Sequence, residues 1–227
     1  MTITYRFSTP IYPSNILYVN IIPNYTCINN CVFCSRPRTK KDFHKPNIYE
    51  TKAGTSLYLK KSPTLKEIIT EINYNIDKND KELAIIGLGE PLIHLPKVIQ
   101  ILKYVKKNYK IKTRIDTNGL VDCIYNNSAK KLKNARLDEI RISLNATNEK
   151  DYLKLCRPKY KDAWPKLLKF IKDCKNEEIN TFVSFVVDYK NKKMKIDTSN
   201  KEDFVRFAKS LGIKKEKVIL RKYLKPI

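Results

Sequence analysis

The residues best suited to chemistry are Cys27, Cys31 and Cys34, in the order C-I-N-N-C-V-F-C. A thiolate is a soft metal ligand, and three of them two or three residues apart can converge from one loop. On a four-iron cubane each would hold one iron, and the fourth iron would have no protein ligand. A substrate or cofactor can then bind that iron directly. The same cysteines with His44 would also complete a Cys3His tetrahedron, so a structural zinc knuckle is the competing reading. Cys123, Cys156 and Cys174 stand apart from this group. That spacing is not one of a disulfide framework, and it points to a reducing compartment.

Polar residues gather in a second set of positions. The chain has five glycines, and Gly87 and Gly89 in GLGEPL and Gly119 in DTNG fall where extended segments end. A backbone turns sharply or approaches a ligand closely at such places. Leu88 and Glu90 belong to the first motif, Thr117 and Asn118 to the second, and Ser143 and Asn145 to SLNA. Short side chains with donors and acceptors suit ligand contacts, and they equally suit turns. Arg157, next to Cys156 in DYLKLCRP, can grip a carboxylate or phosphate. The bland alternative is a small buried thiol beside a structural arginine. His44 and His94 are the only histidines, each able to carry a proton.

These positions need a scaffold, and an alternation of elements supplies one. Residues 15–22 (NILYVNII) are β-branched and aromatic and read as a first strand. A loop follows from about 24 to 60. At Ser62 a helix is expected to begin, with Pro63 in its first position and Thr64 and Glu67 as a capping box. Its apolar face would be Leu65, Ile68, Ile69, Ile72 and Ile76. A strand from Leu83 to Ile86 leads into GLGEPL, and Pro96 starts a helix facing inward through Val98, Leu102 and Val105. A strand from Ile111 to Ile115 ends in DTNG, and a short helix runs near Ser128 to Ala135. The strand from Glu139 to Leu144 ends in SLNA, and a helix bearing Trp164, Leu167, Leu168 and Ile171 follows. The strand from Phe182 to Val187 precedes a helix with Phe204, Ala208 and Leu211, closed by Gly212. Val218 to Leu220 is the sixth strand.

Six strands alternating with helices imply parallel βαβ units. Eight would close a barrel, so an incomplete (β/α)6 TIM-like barrel is expected, with a doubly wound open α/β sheet as the alternative. In both, ligands sit beyond the carboxyl ends of the strands. The polar motifs lie there.

Composition bounds the setting. Lys and Arg number 46 against 23 Asp and Glu, a net charge of +23. Such a field attracts polyanions, including nucleic acid. The lysines are nevertheless spread over every segment, as on an ordinary solvated surface. No apolar run approaches the ~18 residues of a membrane span, and the first residues lack a signal-peptide pattern. A cytoplasmic protein without a membrane partner is expected.

The motif C-x3-C-x2-C, with Phe33 before its last cysteine and a strand just ahead of it, resembles the signature of the radical S-adenosylmethionine (SAM) superfamily. Within it, ILYVNIIPNYTCINNCVFC, SLYLKKSPTLKEII, GLGEPL, RIDTNG, SLNA and LCRP resemble the radical SAM proteins linked to the TatD-type nuclease. The resemblance implies one radical SAM core domain over residues 1–227. It implies a [4Fe–4S] cluster on Cys27, Cys31 and Cys34 that cleaves SAM to a 5′-deoxyadenosyl radical, which takes hydrogen from an unknown substrate. It also places the Phe33 backbone beside the adenine and gives the methionyl amino group to Gly87, Leu88, Gly89 and Glu90. The form here is G-x-G-E where G-G-E is commoner. Thr117 and Asn118 resemble the third-strand motif of the family, and Ser143 and Asn145 the fourth-strand position that reaches the SAM carboxylate or ribose hydroxyls, with Arg157 a further cofactor-binding candidate. Cys156 would be a catalytic thiol that gives a hydrogen atom or captures a radical. A low-potential donor, ferredoxin or flavodoxin, would supply the electron. Two narrower functions follow, a glycyl-radical activase and a nucleic-acid-modifying enzyme. A zinc-stabilised basic nucleic-acid-binding module is the alternative from another class.

Overall fold

A computed structural model describes residues 2–7, 15–43 and 57–223. His44 and residues 44–56 of the expected cluster loop lie outside the described residues. The fold is a predominantly parallel α/β sheet of seven strands. The chain divides into two compact units, one of Met1–Cys27, Ser35–Asp116 and Lys131–Glu139, the other of Ile28–Cys34, Thr117–Lys130 and Ile140–Ile227.

In the first unit, β1 (Thr4–Tyr5) pairs antiparallel with β2 (Ile16–Val19). Strands β2, β3 (Glu82–Ile85) and β4 (Lys112–Thr117) then run parallel in chain order. That order has no reversal of the kind a doubly wound sheet requires. The helix α1 (Leu65–Asn75) buries Ile68 and Ile72. Its capping box is present, with Glu67 N donating to Thr64 Oγ1 at 3.2 Å and Thr64 N to Glu67 Oε2 at 2.7 Å. Thr64 is therefore the N-cap, and Pro63 precedes the helix instead of opening it. The helix α2 (Leu95–Asn108) buries Val98, Ile101, Leu102 and Val105. The opposite face of the strands carries an aromatic group, where the Tyr5 and Tyr18 rings stack at 5.2 Å. Beside it the buried Arg114 Nε donates to Glu82 Oε1 at 2.5 Å, and Nη1 donates to Asp116 Oδ1 at the same distance. A guanidinium that deep is tolerated because both carboxylates lie against it.

In the second unit the strands follow the order β5 (Glu139–Ser143), β6 (Asn180–Val187), β9 (Val218–Lys222), again without reversal. The helices α3 (Ser128–Asn134), α4 (Glu149–Cys156), α5 (Ala163–Asn176) and α6 (Lys201–Ser210) complete the alternation. Helix α5 buries Trp164, Leu167, Phe170, Ile171 and Cys174, while Leu168 of the expected face is only half-buried. Gly212 has φ +71°, as the residue after a helix end commonly does. A hairpin of β7 (Lys190–Asn191) and β8 (Ile196–Asp197) follows β6. Its strands, like β1, are too short to leave a pattern in the sequence. Among the described residues no helix is long and apolar enough to cross a membrane.

Candidate active site

In the first unit the chain leaves β2 through Asn20, which is fully buried. Its Nδ2 donates to Leu57 O at 2.8 Å, and its Oδ1 accepts from Ile22 N at 3.1 Å. A Cβ on Gly87 would stand 2.3 Å from that Oδ1, so the close approach of the two segments requires glycine. Gly89 is more constrained. Its φ is +141°, and a Cβ would lie 2.5 Å from Thr26 O. Glu90 N donates to the same Thr26 carbonyl at 2.9 Å. The GLGE turn is thus tied to the residue just before Cys27. Glu90 is buried to 1% exposure, and its Oε1 accepts from Leu92 N at 2.9 Å, capping the short turn Pro91–His94. Burial, and then the charge of Lys97, lower the His94 pKa below its usual value.

The second unit holds Ile28–Cys34, and the C-terminus of α4 grips it. Asn30 N donates to Cys156 O at 2.9 Å and to Arg157 O at 3.2 Å. Val32 N donates to Leu155 O, and Lys159 N to Ile28 O, both at 2.9 Å. The last carbonyls of a helix have no partners within it. Here the cysteine loop supplies them, helped by Arg157 in the left-handed region at φ +45°. Cys34 N donates to Cys31 O at 3.2 Å, closing the loop on itself. The Phe33 ring meets Tyr189 edge-on at 6.2 Å.

The remaining motif residues fall at the carboxyl ends of β4 and β5. Thr117 Oγ1 accepts from Gly119 N at 3.0 Å, and Asn118 Oδ1 from Leu120 N at 2.9 Å. Both residues are buried and shape the DTNG turn. Asn145 sits at φ +59°. Its Oδ1 accepts from Val186 N at 3.2 Å, and its Nδ2 points to Cys156 Sγ at 3.8 Å. Cys156 is fully buried. Its neighbour Tyr152 is buried as well, which raises the phenol pKa, with Cys156 adding to the shift. Ser143 Oγ accepts from Arg221, a residue that sequence reasoning passed over. The two are 78 positions apart, and no local pattern joins them.

The donor set fits an iron–sulfur cluster. Cys27, Cys31 and Cys34 are of intermediate exposure, neither sealed in the core nor joined in disulfides. Among the described residues no three His, Cys, Asp or Glu side chains are gathered as a single ion would require.

Residues 21–214 match the radical SAM superfamily. The chain belongs to that superfamily. Radical SAM proteins bind a [4Fe–4S] cluster and SAM, and these are the cofactors of this radical SAM enzyme. The chain is 29% identical over 141 residues to a protein of Methanococcus aeolicus named as a GTP 3′,8-cyclase, a stretch of 61% of this chain and 40% of that one. It is also 29% identical over 137 residues to a protein of Methanocaldococcus jannaschii named as a glycyl-radical enzyme activating enzyme, covering 57% and 53%. SuiB of Streptococcus suis, solved with its precursor peptide SuiA, has a TM-score of 0.59 at 17% identity, over 92% of this chain and 39% of that one. SuiB has also been solved with SAM bound. This chain thus spans about half or less of the length of these relatives. Its fold is the radical SAM fold, a partial barrel, as the undisturbed strand order in each unit agrees.

Proposed function

We propose that Cys27, Cys31 and Cys34 hold the [4Fe–4S] cluster, and that residues 1–227 act as one radical SAM core. The observation that carries this reading is the set of three half-buried cysteines, outside any disulfide, on the loop whose Asn30 and Val32 amides are bound by α4. When bound, the cluster and SAM supply reductive cleavage to a 5′-deoxyadenosyl radical, which removes hydrogen from the substrate. The chain's own residues orient and enclose. The buried Glu90 carboxylate faces an ammonium group favourably and suits the methionyl amino group, with Gly87, Leu88 and Gly89 bringing the backbone close. Thr117, Asn118 and Arg157 line the ribose and carboxylate side, and the Phe33 backbone the adenine side, while the Ser143 hydroxyl is taken by Arg221. Asn145 spends its amide on Val186 and Cys156, so its part is to fix the β5 end. Cys156 is held as a buried thiol beside it.

The electron comes from a low-potential carrier of the ferredoxin or flavodoxin kind, and cysteines outside any disulfide suit the reducing cytoplasm. We place the chain among the TatD-nuclease-linked radical SAM proteins on its LCRP and cysteine motifs. The Methanocaldococcus relative supports a second reading, activation of a glycyl-radical enzyme. The deciding experiment is anaerobic reconstitution followed by SAM and dithionite. We expect about four irons per chain, absorbance near ~400 nm that bleaches on reduction, and 5′-deoxyadenosine. Cys31→Ala should lose all three. A single colourless ion without 5′-deoxyadenosine would restore the zinc reading.

A further inference from the structure

In the second unit, one face of the strands carries a guanidinium, that of Arg221, with no carboxylate partner among the described residues. Side chains alternate across a strand. Phe185 of β6 packs on Phe204 of α6 with ring centroids 4.7 Å apart. A Cβ at Gly119 would meet both Ile142 of β5 and Leu167 of α5. Phe185 and Ile142 therefore point to the helix side, and Ser184 and Ser143 point away from it. Strands β6 and β9 are parallel with Val186 opposite Arg221, which puts Arg221 on the same side as the serines. Arg141 shares that face, lying over the Phe182 ring at 5.6 Å.

Arg221 Nη2 donates to Ser184 Oγ at 2.5 Å and to Ser143 Oγ at 3.2 Å. Ser184 is fully buried, whereas Arg221 is exposed. The two hydroxyls take both hydrogens of Nη2, leaving Nε–H and the Nη1 hydrogens without partners among the described residues. The serines thus hold a permanent cation in one orientation at the carboxyl ends of β5 and β9. Open α/β sheets and barrels take their ligands at that end. Neither hydroxyl neutralises the charge.

We propose that Arg221, braced by Ser143 and Ser184, binds an anionic oxygen group, carboxylate or phosphate, of the molecule on which the radical acts. Charge-assisted hydrogen bonds from Nε and Nη1 would hold it. The assignment of this anion to the radical's substrate rests on the function proposed above, while the anion site does not.

The test therefore uses the chain without iron. Inorganic phosphate and succinate are titrated separately, followed by the Arg221 Nε–H resonance, identified by its absence in Arg221→Gln. A saturable shift is expected with at least one of them, and the tighter ligand names the group. Read by isothermal titration calorimetry, which does not need the Arg221 signal, Arg221→Gln should weaken that binding roughly tenfold or more, as loss of a charged hydrogen bond does. Lys193→Gln removes the same charge from an exposed lysine elsewhere and should leave binding nearly unchanged. An unmoved resonance, or equal weakening by both variants, would overturn the site. After reconstitution, Arg221→Gln should keep SAM affinity and 5′-deoxyadenosine formation with dithionite. Loss of SAM affinity would give Arg221 to SAM's own carboxylate and sink the proposal. Failure of the wild-type chain to take up iron would fall on the cluster reading and leave the anion titration intact.

Discussion

At Gly89, backbone conformation and crowding act together. Alanine there would force a Cβ against Thr26 O at an unfavourable φ. Gly89→Ala should cost about 1–3 kcal/mol in urea unfolding, and it should lower iron retention by disturbing the residue before Cys27. Asn145→Ala should cost about 1 kcal/mol, because the half-buried Val186 amide loses its acceptor. Removing a SAM contact alone would weaken SAM binding and spare stability, so the unfolding curve separates the two roles. Sequence reading found both residues by their place at strand ends. It could not tell a ligand contact from a turn, because Asn145 finds its partner on β6 and Thr117 finds one two residues on. Arg221 was out of reach, since the serines that hold it come from two other strands.

Elements were more legible than their attachments. Ile68 and Ile72, Val98 to Val105, and Trp164 to Ile171 recur at helical spacing, and all but the edges of those faces are buried. The capping box at Thr64 was readable because its two residues are only three apart. Thr64→Ala should cost about 1 kcal/mol, seen as a lower urea midpoint. The grip of α4 on the cysteine loop was not readable, as it joins residues more than 120 positions apart through backbone atoms. Arg157 lies at its centre, in a conformation that glycine adopts freely. Arg157→Gly should leave stability unchanged or raise it by up to about 1 kcal/mol. If its guanidinium serves SAM, the same variant will bind SAM more weakly, which equilibrium dialysis can read.

For the whole molecule, the charge of +23 is the dominant long-range feature. Like charges repel in the compact state, and salt screens them. Raising sodium chloride from about 0.02 to about 0.2 M should therefore raise the melting temperature. Affinity for an unstructured RNA should fall along a log–log line over the same range if the basic surface serves nucleic acid. Acid acts through particular pairs. Burial pushes the Asp80 pKa up, but the hydrogen bonds from Arg6 and the Asp77 amide outweigh it, and the value lies below the usual 3.8. The folded value is the lower one, so this pair stabilises above pH about 4 and its contribution disappears as pH falls through the folded value. Urea midpoints taken downward from about pH 6 should drop below about pH 4 in the wild type and change less in Asp80→Asn.

The grip of α4 bears also on how the metal arrives. Hydrogen exchange in iron-free protein should find the Asn30 and Val32 amides protected, since protein carbonyls already occupy them. Small zinc domains collapse when a chelator strips them, because their ligands have no fixed positions otherwise. Here the stretch from Ile28 to Cys34 is held in shape by the polypeptide, so chelation should bleach the colour yet leave far-UV circular dichroism and the melting temperature nearly as they were. Iron and sulfide would meet Cys31 and Cys34 on a backbone that is already fixed, and damage by oxygen would be repairable by refilling without refolding.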